Sequence, residues 1–389
     1  MAATAPRPTV VDLFCGAGGL SEGLSQAGFN PVAAVDFDHH AAETYRVNHP
    51  GTVVLEADVT GVTGQQLLDL AGITQLDLLA GGPSCQGFST HGKRIQDDSR
   101  NFLFKHFVRL TDELRPSVVL MENVKGMLTY GKGTFRRLIE AAFEEIGYRT
   151  SFTQVLAADF GVPQLRNRVL FIGTRDDSVR LRFPEPTHGD GFGLIPYVSV
   201  KDALSDLPLI GDRYGRERWR YASDPGTLYQ RYCRRSDNTY VTLHSGRPLS
   251  LQAQKLASHI PQGKGIRAVP SELLPKRFKI MRTISNGQLR QDCTTLYHRL
   301  DPARPAYTIT CNYRNIASGP FLNPWEDRSL SHREAARLMS FPDDYQFVGS
   351  HISQQIGNAV PPLLGRAVGL ELLSSLEKQP AMIEGNSEQ

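Results

Sequence analysis

One repeated unit near the start limits the fold more than anything else in the chain: a short apolar, mostly β-branched run, a turn, and a stretch with helical apolar spacing. Thr9 to Phe14 (TVVDLF) leads through Cys15, Gly16, Ala17, Gly18 and Gly19 into LSEGLSQAG. Pro31 to Val35 (PVAAV) ends in Asp36 and precedes a helix from about His39 to Asn48. Val53 to Leu55 then leads to Asp58 and a short helix from Gln65 to Leu70. Strands alternating with helices predict an α/β domain on a mainly parallel sheet, since parallel neighbours need a crossover connection.

The carboxyl ends of such strands line one crevice, where ligands of open α/β sheets bind. The glycine turn after Phe14 lets a ligand approach the backbone and meet helix amides, which suits a nucleotide-like cofactor; many such turns bind nothing. Asp36 lies 20 residues beyond Gly16, a spacing at which an acidic group reaches ribose hydroxyls. The other reading of Asp36 and of Asp58 is a solvated cap on the element that follows.

A second turn, Gly81 to Thr90 (GGPSCQGFST), follows the apolar run Leu76 to Ala80. Its Cys85 is either a small buried side chain or, on a loop beyond a strand end, a nucleophile. A polar loop, HGKRIQDDSR, comes next, then a helix from about Phe102 to Leu114 and a strong strand, Val118 to Met121. Glu122 and Asn123 follow at once, so Glu122 is a candidate proton donor level with the Cys85 loop, or else a cap. After a helix from Phe135 to Ile146 and a strand from Thr150 to Ala157 comes GVPQLRNRVLFIG. Arg166 and Arg168 alternate there along an extended segment, and with Gln164 they offer one face to an anionic ligand.

From Pro184 the alternation stops, and proline, glycine and interleaved Arg and aromatic residues (RYGRERWRY, YQRYCRR) take over. Here composition matters. The chain of 389 residues has a net charge of only +3, but residues 184 to 328 hold 21 Lys and Arg against 13 Asp and Glu. A basic segment on an otherwise acidic body fits a polyanion-binding module, the alternative being a solvated loop region. No apolar run of membrane-spanning length occurs and MAATAPRPTV has no signal core, so a cytoplasmic protein with no membrane partner is expected. Five cysteines without a CxxC pair suggest neither a disulfide framework nor a zinc site. The expected organisation is a domain over 1–183, an irregular basic domain over 184–350, a segment over 351–377 that returns to the first domain, and a disordered tail over 378–389.

DLFCGAGG, GGPSCQGFS, MENV, QLRNR, SHREAARLMSFPDDY and QIGNAVPP together, in that order, resemble the C5-cytosine DNA methyltransferases over nearly the whole chain. The resemblance implies a Rossmann-like S-adenosylmethionine-dependent methyltransferase domain with a second, smaller, irregular target-recognition domain. It implies methyl transfer from S-adenosyl-L-methionine to carbon 5 of a flipped-out cytosine in double-stranded DNA, through an adduct between Cys85 and C6. By the same resemblance Glu122 contacts the base at N3, and Arg166 and Arg168 orient the flipped nucleotide. Phe14, Gly16, Gly18, Asp36, Phe37, Asp58, Leu103 and Asn358 match cofactor positions. A monomer, and a cognate restriction endonuclease acting on the same site, are expected of the bacterial restriction-modification type. An RNA-methylating relative or a catalytically silent DNA-binding paralogue are the alternatives. Two positions depart from the family pattern: Ser84 where a second proline is usual before the nucleophile, and Asp36 where glutamate is common.

Overall fold

The computed structural model describes residues 6–83, 103–129, 133–236, 238–274 and 295–377. Cys85, Ser84, the polar loop of residues 91–100 and the tail of 378–389 lie outside the described residues.

The described residues build a seven-stranded sheet from β1 (Thr9–Leu13), β2 (Asn30–Asp36), β3 (Val53–Glu56), β4 (Leu78–Gly81), β5 (Val118–Val124), β6 (Arg149–Leu156) and β8 (Asn167–Thr174). The two-residue β7 (Gln164–Leu165) stands outside it and pairs with β11 (Ala306–Tyr307). The strand order is β3-β2-β1-β4-β5-β8-β6. Strands β1 to β5 run parallel, and β8 lies antiparallel between β5 and β6. The α/β class expected from the alternation is therefore observed. The fully buried central strands carry VVDL, LLAG and VVLMENV, the near-continuous apolar runs that a sheet covered on both faces requires.

Helices α1 (Gly19–Ala27), α2 (His39–Asn48), α3 (Gly64–Ala71), α4 (Leu103–Leu114), α5 (Gly126–Thr129) and α6 (Thr134–Glu145) connect these strands. The chain steps outward from β1 to β2 and β3, then returns to the other side of β1 for β4 and β5. That reversal is the topological switch point, and it sets the glycine turn after β1 beside the turn after β4. The register is direct: Leu13 pairs with Gly81, and Gly81 with Met121.

The later part of the chain is a set of short elements, α7 (Val200–Leu204), β9 (Trp219–Arg220), α8 (Leu228–Cys233), β10 (Tyr240–Val241) and α9 (Leu251–Ala257), then β11, α10 (His332–Leu338), α11 (Ile352–Asn358) and α12 (Pro362–Glu377). One apolar cluster joins Trp219, Tyr229, Val241, Leu300, Leu338 and Ile356. Buried arginines hold its polar interior. Arg337 pairs with both Asp206 and Asp343, Arg333 donates to the carbonyls of Pro342 and Tyr345, and Arg328 pairs with Glu326 and Glu334. Of these three only Arg328 belongs to the basic count over 184–328, where Arg299 is also internal; a buried arginine is retained only with its carboxylates and carbonyls in place.

Helix α12 lies against α1 through small residues. An added Cβ at Gly19 would fall 2.3 Å from the Val360 carbonyl oxygen, and one at Gly23 2.3 Å from that of Pro362. Leu364, Val368 and Leu372 of α12 join Leu20, Leu24 and Phe29 in one buried cluster. The last helix thus buries its apolar stripe on the first, the helix that follows the glycine turn after β1.

Candidate active site

The turn after β1 is built for close approach. Phe14 has φ +56°, Gly16 φ +52° and Gly18 φ +84°, all in the left-handed region that side chains with a Cβ rarely adopt. At Gly18 the space is closed as well, because an added Cβ would sit 2.7 Å from the Tyr345 hydroxyl. Beneath the turn Asp12, 1% exposed, accepts from Ser21 Oγ at 2.6 Å, and the Tyr45 hydroxyl donates to Ser21 at 2.7 Å. Burial raises the Asp12 carboxyl to a pKa of about 7, the Ser21 hydrogen bond pulls it back, and the Asp36 charge raises it. The Tyr345 hydroxyl donates to the Ala17 carbonyl, so a residue from the far end of the sequence fixes the turn.

Asp36 is the last residue of β2, next to that turn. Its Oδ2 accepts from Gly16 N–H at 2.8 Å and its Oδ1 from Asp38 N–H at 2.9 Å. Burial raises its pKa, and these backbone donors lower it. The aspartate that stands in place of glutamate is short enough to clasp both backbone segments itself. Phe37, following it, is 76% exposed. Asp58 is exposed and caps the turn Val59–Gly61 by accepting from Thr60 N–H at 2.9 Å, a bond that lowers its pKa. Leu103, at the start of α4, packs half-buried on the core cluster beneath β1, β2 and β4. Asn358 ends α11 exposed, next to Gly357, whose backbone is pressed against Cys311 N.

The neighbouring strand β4 delivers Gly81, Gly82 and Pro83, the last described residues before Cys85. Asn123 Nδ2 donates to the Pro83 carbonyl at 3.0 Å, tying the departing chain to β5. Glu122 and Asn123 are not beyond the strand, as the sequence suggests, but within it. The ladder between β5 and β8 continues through Val124, so both carry the alternation of a paired strand. Gly82 faces the Glu122 carboxylate, which would lie 3.2 Å from an added Cβ.

Arg168 sits diagonally from Glu122 across the β5–β8 ladder, in which Glu122 pairs with Leu170 and Val124 with Arg168. Its Nε is 2.5 Å from Glu122 Oε1, with the two side chains 12% and 11% exposed. Burial lowers the Arg168 pKa, and the Glu122 charge opposes that. Arg166 does not share this partner. It occupies the break between β7 and β8 and donates from Nη1 to Ile309 O at 2.9 Å, and from Nη2 to Gly357 O at 2.9 Å and Ala359 O at 3.1 Å. The alternation in QLRNR aims both arginines off one side, but the strand break turns the first toward main-chain carbonyls.

Further residues, the buried Gln164 among them, complete the frame. Gln164 accepts from Ile309 N–H at 2.9 Å and donates to Leu338 O at 2.9 Å, binding β7 to α10. Ser331 and Glu334 form a capping box that starts α10, a signal present in the sequence as S-x-x-E. On the outer face, Arg213 and Arg216 stack on Trp219, and Arg218 and Arg220 on Tyr240, all four arginines being exposed.

The arrangement therefore offers a glycine turn and the end of β4 on adjacent strands, with a buried carboxylate–guanidinium pair beside Gly82. Comparison with known proteins shows the family. The family model for C-5 cytosine-specific DNA methylase matches residues 8–374. The chain is 35% identical to the Type II methyltransferase M1.HphI of Haemophilus parahaemolyticus, over 94% of this chain and 86% of that protein. It is 37% identical to the Type II methyltransferase M.XorII of Xanthomonas oryzae pv. oryzae, over 96% and 86%. A prophage-encoded Escherichia coli chain, solved as a candidate DNA modification methyltransferase, superposes with a TM-score of 0.75 at 28% identity, over 95% of this chain and 100% of that one. This chain belongs to the C-5 cytosine-specific DNA methylase family and is a DNA cytosine-5 methyltransferase.

Proposed function

We propose that the protein takes the methyl group of S-adenosyl-L-methionine and places it on carbon 5 of a cytosine flipped out of a specific duplex DNA sequence, by way of a covalent adduct between Cys85 and C6. The observation that carries this reading is the pairing of Leu13 with Gly81, which sets the glycine turn after β1 beside the end of β4, the strand from which the chain runs on to Cys85. The Type II names of the similar proteins favour a role in restriction-modification, with the product protecting host DNA from an endonuclease of the same specificity.

The chain's groups fit the cofactor. The open backbone at Gly16, the exposed Phe37 ring, the Asp36 carboxylate beside the turn and the exposed Asp58 and Asn358 make a cradle for an adenosine-bearing ligand. Bound there, S-adenosyl-L-methionine supplies an electrophilic methyl group on a sulfonium. Leu103 closes the apolar side.

Cytosine C5 is too weak a nucleophile by itself. Addition of the Cys85 thiolate to C6 forms an S–C bond and moves electron density to C5, which becomes enamine-like. Glu122 offsets the charge that builds on the ring by hydrogen bonding or proton donation at N3, and Arg168 holds its carboxylate in place. After methylation at C5 the C5 proton leaves to a base and the S–C6 bond breaks, returning the thiolate. Arg166 acts at one remove, orienting the nucleotide pocket by fixing the backbone at Ile309, Gly357 and Ala359. Extruding the base costs about a few kcal/mol, which phosphate and groove contacts from the basic region offset.

The test is a duplex carrying 5-fluorocytosine at the target position. Fluorine at C5 cannot leave as a proton does, so the adduct accumulates. The expected result is a denaturant-stable protein–DNA band that needs S-adenosyl-L-methionine and is absent from Cys85→Ala. A band of equal yield in Cys85→Ala would overturn the assignment of the nucleophile.

A further inference from the structure

The first turn of α2 carries three groups that the methyl-transfer chemistry leaves unused. His39, His40 and Glu43 each present a ligand atom, and these atoms lie within 4.8 Å of one another. His39 Nε2 is 3.4 Å from Glu43 Oε1, and His40 Nδ1 is 4.0 Å from Glu43 Oε2. Ligand atoms around a tetrahedral zinc-type ion stand about 3.3 Å apart when each bond is about 2.0 Å. Small side-chain rotations bring the three to that spacing.

The decisive observation is what holds the other nitrogen of each ring. His39 Nδ1 is 3.1 Å from both oxygens of Glu56, at the end of β3. The tautomer that donates Nδ1–H to this carboxylate leaves a lone pair on Nε2, facing Glu43. His40 Nε2 is 3.0 Å from Ser350 Oγ, and the tautomer that donates there leaves its lone pair on Nδ1. That Nδ1 is shielded from solvent and has no hydrogen-bond partner among the described residues. Metal-ligating histidines almost always donate their other N–H to a carboxylate or similar acceptor, which fixes the ring and strengthens the donor. Arg46, 3.4 Å from Glu56, holds that carboxylate from its other side.

We propose that His39, His40 and Glu43 form a site for a divalent transition-metal cation of the zinc class, with Glu56 and Ser350 orienting the two rings. Two imidazoles and one carboxylate select zinc, nickel, cobalt or copper over magnesium and calcium, which prefer all-oxygen shells. Three protein ligands leave a coordination position open. The ion, held from His39, three residues after Asp36, joins α2 to the edge strand β3 and to the loop at Ser350, so occupancy stiffens the outer wall of the proposed cofactor crevice.

The test uses the full-length protein stripped by a chelator and titrated with zinc ion against a chromophoric competitor, with thiols alkylated beforehand so that cysteines do not contribute. One equivalent is expected in the wild type and none at that affinity in the His39→Ala/His40→Ala double variant. Glu56→Gln, which keeps a hydrogen-bond acceptor but not the charge, weakens binding about tenfold or more. Zinc raises the melting temperature of the wild type and not of the double variant. Should the double variant fold poorly, Glu43→Gln gives the same reading with both rings intact. No saturable equivalent in the wild type, or one retained by the double variant or by Glu43→Gln, overturns the site.

Discussion

Glu122 and Arg168 are bound to one another within the sheet, Nε to Oε1 at 2.5 Å, with Gly82 against the carboxylate. The strand ladder sets this geometry, so neither side chain has to be ordered by the substrate. Glu122→Gln keeps the shape and removes the acid; methyl transfer is expected to fall on the order of 10²–10⁴-fold with DNA binding retained. Single-turnover rates and a filter-binding isotherm on the same preparation separate the two, and a near-normal rate would show that the N3 contact matters little.

Arg166→Ala removes a fully buried guanidinium from three carbonyls on two later segments. Leaving buried acceptors unpaired costs about 1–3 kcal/mol each before any relaxation. A loss of stability of roughly 3 kcal/mol or more in urea unfolding is expected, with Arg166→Lys recovering only part, since a lysine cannot reach all three. Unchanged unfolding would mean that the carbonyls are satisfied by water instead.

The α1–α12 contact predicts a steric result. Gly23→Ala places a methyl group 2.3 Å from the Pro362 carbonyl oxygen and 2.6 Å from the Arg366 backbone nitrogen. Overpacking of this kind costs typically about 1–3 kcal/mol. Because α12 packs on α1, which follows the turn proposed to hold S-adenosyl-L-methionine, affinity for that ligand, read by calorimetry, is expected to drop alongside the melting temperature.

Asp12 ties stability to pH. Its folded pKa, about 7, lies above the ordinary carboxyl value of 3.8, so the folded protein holds a proton that the unfolded chain has released. Stability is therefore greatest below the unfolded value, declines as pH rises from about 4 to 7, and levels above that, a drop on the order of a few kcal/mol from this residue. Asp12→Asn flattens that part of the profile. Denaturation midpoints at a series of pH values check it, and parallel profiles for the two proteins would contradict it.

The exposed arginines on Trp219 and Tyr240 give a salt-dependent prediction. If they meet phosphates, each of Arg218→Ala and Arg220→Ala reduces the slope of log affinity against log salt by about 1. Slopes equal to the wild type would place DNA elsewhere.

Much of this was legible in the chain, for physical reasons that can be named. The strands β1, β2, β4 and β5 announce themselves because buried parallel strands must be apolar throughout, and α2 was located to the residue. Glu122 was recognisable by type but misplaced by position, since a polar residue inside a strand looks like the strand's end. The partners of Arg166 were not readable at all: its alternation with Arg168 promised a shared face, and only the break between β7 and β8 sends it to Ile309 and Gly357. The positive balance over 184–328 similarly mixed two populations, the internal Arg299 and Arg328 and the exposed stack on Trp219 and Tyr240, which composition cannot tell apart. The His39–Glu43 cluster escaped notice because its orienting groups, Glu56 and Ser350, are distant in sequence.

The most direct test of the central claim is to incubate an unmethylated plasmid with the purified protein and S-adenosyl-L-methionine and to read every cytosine by bisulfite sequencing, with transfer RNA as a parallel substrate for tritiated methyl. The account predicts 5-methylcytosine at one cytosine of a single recurring duplex sequence and no label in RNA. Label confined to RNA, or a plasmid without 5-methylcytosine, would contradict it.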